Sequence, residues 1–146
     1  VKINDKGSVR VFVYGTLKRG LGNYITMQKA GGQFMGFDHI EGNFKLAEIG
    51  GLPAVVPDLT KTNKVYGQLF CMDEEGLAVL DLLEGHPNFY TRSKIRTESR
   101  DKRAWVYFMQ NRDWINGHSK VTDIDNNIYM PSDNELAYWK RKEVNG

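Results

Sequence analysis

A lone cysteine, Cys71, is all that the 146-residue chain offers for disulfide chemistry. It cannot close an internal bridge, so the fold must hold without covalent staples, and a reducing, cytoplasmic setting is expected. Prolines number only four and form no linker. With no internal repeat or low-complexity tract either, one domain over residues 1–146 is the expectation. No apolar run approaches the ~18 residues of a membrane span, and the opening Val1-Lys2-Ile3-Asn4-Asp5-Lys6 lacks the apolar stretch of a secretory signal, so no membrane partner is expected. A charge excess is missing too. Twenty Lys+Arg face eighteen Asp+Glu, a formal +2, which is too balanced to imply nucleic acid from bulk electrostatics. His39, His86 and His118 stand at no metal-ligand spacing to one another or to Cys71, so no zinc site is expected.

What the chain does contain is 40% hydrophobic, 12% aromatic and 26% charged residues. That is a globular composition, and the length suffices to bury roughly two thirds of the extended surface. Disordered, collagen-like and coiled-coil classes are excluded. Ser8 to Tyr14 is rich in β-branched and aromatic residues and reads as a first strand, with Val9, Val11 and Val13 on one face. A short helix from about Asn23 to Ala30 is closed by Gly31-Gly32. Gln33 to Ile40, Phe44 to Ile49 and Pro53 to Val56 read as short strands, and Lys64 to Met72, apolar on both faces, as a central one.

Asp73-Glu74-Glu75 starts a helix that runs to about Leu83, where Gly85-His86-Pro87 stops it. Phe89 to Glu98 and Arg103 to Gln110 suggest a hairpin around Ser99–Lys102. The polar stretch 111–129 carries no clear element, while Ser132-Asp133-Asn134-Glu135 resembles a capping box for a last helix. Together these predict an α+β fold with a strongly curved or barrel-like sheet.

Two segments carry candidate chemistry. Tyr14-Gly15-Thr16-Leu17-Lys18-Arg19-Gly20 places a Gly-bearing loop between a strand and a helix, where backbone N–H groups can turn toward an anion. It has neither the P-loop ending nor a dinucleotide fingerprint, and an ordinary strand-to-helix turn is the commoner origin of such a segment. In the second segment, Leu80 to Tyr90, Glu84 lies on or beside the leucine face at the last helical turn. A partly buried acid there is biased toward a raised pKa, which suits a general base or acid. A solvated helix-end glutamate is the plain alternative. Cys71, within an apolar strand, reads as core. Arg92, Lys94, Arg96, Arg100, Lys102 and Arg103 cluster on the hairpin with Tyr90 and Trp105. They read first as a solvated strand face, with a nucleic-acid surface as the competing reading.

Taken together, Tyr14-Gly15-Thr16-Leu17-Lys18 and Glu84 followed by Pro87 and Tyr90 resemble the γ-glutamylcyclotransferase-like superfamily. The likeness is greatest to γ-glutamylamine cyclotransferases and avirulence-induced plant proteins. It extends over residues 9–30 and 64–110, through Val11-Phe12-Val13, Asn23, Val65-Tyr66-Gly67-Gln68-Leu69-Phe70 and Tyr90-Thr91-Arg92. The resemblance implies a small curved β-barrel of about six or seven strands flanked by about three helices. It also implies a cofactor-independent reaction without metal, in which the substrate's α-amino group attacks its own γ-carbonyl to release 5-oxoproline and a free amine or amino acid.

In this resemblance Glu84 matches the catalytic glutamate, a general base that becomes a general acid. The loop Tyr14, Gly15, Thr16 and Leu17 matches the segment whose N–H groups bind the substrate's α-carboxylate, and Tyr90 matches a cavity tyrosine. Lys18 and Arg19 rank below these, as loop cations are commonly solvated, and His86 receives no role. The implied partner is a small γ-glutamyl compound, and weak self-association is left open. Lyase-like removal of a γ-glutamyl protecting group would differ only in the leaving group. A non-catalytic small-ligand or interaction module on the same fold is the alternative from another class.

Overall fold

The structure is a computed structural model that describes residues 8–98, 102–117 and 120–145. Its first strand, β1 (Val9–Val13), is apolar on alternate residues toward both sides, and both sides are covered. Val11 and Val13 enter a core shared with α1 (Tyr24–Lys29) and α2 (Glu74–Glu84). Phe12 and Tyr14 enter a second core with Leu46, Val55, Leu69 and Val106. A strand buried on two faces must also pair on two edges, or its backbone polar groups would be stranded. β1 therefore pairs antiparallel with β5 (Asn63–Met72) and parallel with β7 (Lys102–Met109).

The resulting five-stranded sheet has the order β2-β5-β1-β7-β6, with β2 (Gln33–Gly42) and β6 (Tyr90–Thr97) at its edges. β2 is longer than its sequence pattern implies and slips register by a bulge between Phe34 and Gly36. Gly36 takes φ +140°, a conformation costly for any side chain. A separate three-stranded sheet, β4-β3-β8, is built from β3 (Phe44–Ile49), β4 (Leu52–Pro57) and β8 (Val121–Asp123). The sheets meet where β4 packs on β7.

The α+β class agrees with expectation, and no closed barrel is shown among the described residues. The strands lie in two sheets, and the edges of the five-stranded sheet approach each other at the Glu98 N–H to His39 C=O bond of 3.1 Å. Eight strands and four helices are present among those residues, one strand and one helix above the expected upper counts. The surplus comes from the stretch that resisted assignment. It holds α3 (Arg112–Gly117), β8 and a 3-10 turn at Asp125–Asn127. The hairpin of β6 and β7 is present, with residues 99–101 of its turn outside the described residues.

α2 begins where Asp73 Oδ1 accepts the Gly76 N–H at 2.8 Å and ends at Gly85, in the left-handed region at φ +66°. The last helix, α4 (Asp133–Asn145), follows Ser132, whose Oγ accepts the Glu135 N–H at 3.1 Å. Half of the expected capping box is thus formed. No helix of the described residues is long and apolar enough to cross a membrane.

Candidate active site

A cavity of about 160 Å³ lies at the C-terminal end of β1, between the loop that follows it and the end of α2. Tyr14, Gly15, Thr16, Leu17, Glu84 and Tyr90, all singled out from the sequence, line it together. Its small volume admits one compact ligand. At Gly15 a methyl group would come 2.9 Å from Pro53 Cγ, so glycine lets β4 close the wall against the loop. The loop is tied in place by Lys18 N–H to Gly15 C=O (3.1 Å) and by Asn23, which donates its N–H to Thr16 C=O and its side-chain amide to Thr16 Oγ1. Among the described residues, the N–H groups of Thr16 and Leu17 meet no acceptor within the chain. The loop therefore has backbone donors left for a ligand.

Glu84 is the last residue of α2, and among the described residues its carboxyl has no hydrogen-bond or ion-pair partner. Burial pushes its pKa from 4.5 up to about 7. The helix terminus acts in the same direction, because its exposed carbonyls carry partial negative charge. An unpartnered carboxyl half ionised near neutrality can take up and return a proton.

Three tyrosines surround it, and each has its hydroxyl proton committed elsewhere. Tyr14 donates to Tyr107 C=O at 2.6 Å, Tyr90 to Pro53 C=O at 2.8 Å, and Tyr107 to Asp81 Oδ1 at 2.7 Å. Burial is the largest cause raising all three phenol pKa values, and the neighbouring Glu84 adds to it. The tyrosines are thus neutral walls. Tyr90, expected at the cavity, has a hydroxyl that braces β6 against β4 and is not bonded to Glu84.

Behind Glu84, one turn earlier on α2, Asp81 takes a two-pronged contact from Arg92 at 2.8 and 3.1 Å. Burial works to raise the Asp81 carboxyl, but hydrogen bonds from Arg92 and Tyr107 outweigh it and hold the group below the usual carboxylate range. The Arg92 guanidinium lies 4.2 Å over the Trp105 ring, and its backbone N–H donates to His86 Nδ1 at 3.2 Å. This network fixes the end of α2 on the hairpin and so sets where Glu84 stands. Part of the cationic cluster is thereby accounted for: Arg92 and Lys94 flank Trp105.

Sequence reasoning missed several contributors. Tyr107 and Pro53 line the cavity from strands with no local motif, and Asn23, noted only within the resemblance, locks the loop. Phe89, also in the wall, rests edge-on against Trp114 of α3 at 5.2 Å, and the Trp114 indole N–H donates to Ile49 C=O. The part of the chain hardest to place thus buttresses the site. Lys18 corrects an expectation outright: it is fully buried and ion-paired with Glu135. Arg19 is exposed, with its guanidinium 3.5 Å over Phe34. No group of three or more His, Cys, Asp or Glu among the described residues is placed to hold a metal.

An α+β fold with a Gly-bearing loop facing a partly buried helix-end glutamate defines the architecture, and comparison with known proteins places it. The family described as gamma-glutamyl cyclotransferase, AIG2-like, matches residues 11–129, and the chain belongs to that family. A Vibrio cholerae protein named provisionally as a gamma-glutamylcyclotransferase is 35% identical over 100 residues, covering 68% of this chain and 81% of its own. The gamma-glutamylcyclotransferase family protein YtfP of Escherichia coli K12 is 34% identical over 102 residues, with 70% and 83% covered. Among solved structures, an AIG2-like protein from Mus musculus superposes with a TM-score of 0.62 at 25% identity, covering 87% of this chain and 98% of its own.

Proposed function

We propose that this protein is a γ-glutamyl cyclotransferase that releases 5-oxoproline from a small γ-glutamyl amine, with Glu84 as the group that moves protons. The observation that carries the reading is Glu84, its carboxyl unpartnered among the described residues and its pKa pushed to about 7, lining the same small cavity as Thr16 and Leu17, whose N–H groups meet no acceptor among those residues. The loop donors receive the substrate's α-carboxylate, which anchors the glutamyl chain in a folded conformation. Ionised Glu84 accepts a proton from the α-ammonium, and the freed nitrogen attacks the γ-carbonyl carbon. As the bond to the leaving nitrogen breaks, Glu84 returns that proton to the departing amine. The attacking nitrogen gives up a second proton, which Glu84 passes to solvent, and the lactam keeps the third. Because nucleophile and electrophile share one molecule, holding the chain folded supplies several kcal/mol of the acceleration.

The walls favour an amine over an amino acid or peptide as leaving group. Among the described residues no Lys or Arg lines the cavity, so a second carboxylate would meet no countercharge from them, whereas Leu52, Leu83 and Phe89 offer apolar contact. The test is to incubate the protein with a panel of γ-glutamyl amines, amino acids and peptides and to measure 5-oxoproline by mass spectrometry. Product from the amines is expected, together with its loss in a folded Glu84→Gln variant. No product from any member of the panel, or full activity in the variant, would overturn the reading.

A further inference from the structure

Lys18 follows directly on the loop that walls the cavity, yet its side chain has no solvent exposure. Its Nζ donates to both oxygens of Glu135, at 3.0 and 3.1 Å, and the Glu135 side chain is 2% exposed. Burial lowers the Lys18 pKa, and the Glu135 carboxylate works against that shift. Lys18 and Glu135 are 117 positions apart in the chain. A reciprocal capping box would have turned the Glu135 carboxylate back to the Ser132 N–H. Both oxygens go to the loop instead.

Such a pair is a poor way to add stability. Desolvating two charges offsets most of their attraction, and apolar side chains of similar size serve a core equally well. What the pair adds is a position, since a carboxylate accepting two hydrogen bonds from one ammonium tolerates little displacement. A second tie acts one residue on, where Arg19 N–H donates to Oε1 of the buried Gln68 on β5 at 2.8 Å. The loop is thus held from the sheet by Gln68 and from α4 by Glu135. α4 is itself seated by rings, Tyr138 on Phe37 at 4.9 Å and Trp139 on Tyr66 at 4.7 Å. Glu135 lies beyond residues 11–129, the span matched by the family.

We propose that Lys18 and Glu135 are positioning residues that clamp the Thr16–Leu17 backbone in its ligand-binding geometry, which makes α4 a working part of the site. The catalytic side of this inference rests on the cyclotransferase reading, but the structural side does not.

The test compares wild-type protein with Lys18→Met/Glu135→Leu, which removes both charges together, and with Glu135→Gln. In the double variant, amides of residues 16–19 are expected to exchange with solvent ~10-fold faster than in wild type, while those of β5 keep their protection. KM for a γ-glutamyl amine is expected to rise ~10-fold with kcat within about threefold and the pH midpoint near 7 retained. Glu135→Gln should show the same loop-specific exchange above any global change. Loop amides that accelerate no more than those of β5, or an unchanged KM in the double variant, overturn the clamp. If wild-type protein makes no 5-oxoproline from any substrate, the cyclotransferase reading falls alone, and the exchange data still decide the clamp.

Discussion

Replacing Glu84 by Gln tests the site through stability, without reference to any substrate. The carboxyl titrates at 4.5 when free in water and at about 7 in the folded chain. Below 4.5 it is protonated in both states, and above about 7 it is ionised in both. Between those values the unfolded chain has lost a proton that the native protein keeps, so wild-type stability falls as pH rises. At ~1.4 kcal/mol for each pH unit, the rise from 4.5 to about 7 amounts to about 3 kcal/mol. A glutamine amide resembles the protonated acid and does not titrate. The stability difference between variant and wild type should therefore move in the variant's favour by about 3 kcal/mol across this window and be flat outside it. For a chain of this size that corresponds to roughly 6–12 °C in melting temperature. Other titrating groups cancel in the difference. The assay is thermal or urea unfolding of both proteins at intervals from about pH 4 to about pH 8. A difference that does not change with pH would show that Glu84 is not desolvated, and the argument for its role as a base near neutrality would fail with it. In turnover the same group predicts kcat/KM rising with pH to a plateau above about 7, with no corresponding rise in the variant.

Other perturbations probe the frame around Glu84. Asp81→Asn weakens the two-pronged Arg92 contact and the Tyr107 hydrogen bond, so a loss of about 1–2 kcal/mol is expected by urea unfolding, together with a lower kcat as the end of α2 loosens. Because the Asp81 carboxyl is held low, its contribution is present above the unfolded pKa and lost as pH falls through the folded one, so the gap between Asp81→Asn and wild type should shrink in acid. Gly15→Ala sets a methyl 2.9 Å from Pro53 Cγ, and a proline ring yields little. A cost of about 1–3 kcal/mol and a raised KM are expected, and unchanged kinetics would show that the wall is not tight there. Gly67→Ala drives a methyl into the Val13 carbonyl at the β1–β5 pairing, with an expected loss of ~3 kcal/mol or failure to fold, read by circular dichroism.

Much of the local structure could be read from the chain because its signals act over a few residues. Asp73 caps α2 and Gly85 ends it, and the glycine-punctuated strands from Phe44 to Met72 appear within a residue or so of their expected limits. The pairing of strands was less legible. Short turns show that consecutive strands neighbour one another but not which strands pair across the chain, and here β8 joins β3 from about seventy residues away. α3 and β8 were missed because neither has a buried apolar face of its own. Their anchors are a Trp114 indole bond to Ile49 and a three-residue ladder.

Six of the residues that line the cavity were named by motif, yet what each side chain touches there was settled by contacts distant in sequence. A helix-end glutamate is ordinarily solvated, and the Glu84 carboxyl is pushed up to about 7 only because other elements desolvate it. Tyr90 carries a hydroxyl free to orient a ligand by sequence alone, but in the fold it donates its hydrogen bond to Pro53 C=O. A lysine in a polar loop looks free in sequence, and only a carboxylate 117 positions away makes it a buried strut. Composition and motif determined the class of fold, the limits of α2 and of the strands from Phe44 to Met72, and six of the residues that line the cavity. Tertiary packing decided which of those groups are charged, which are neutral and which are held, because desolvation and pairing depend on neighbours that only the folded chain assembles.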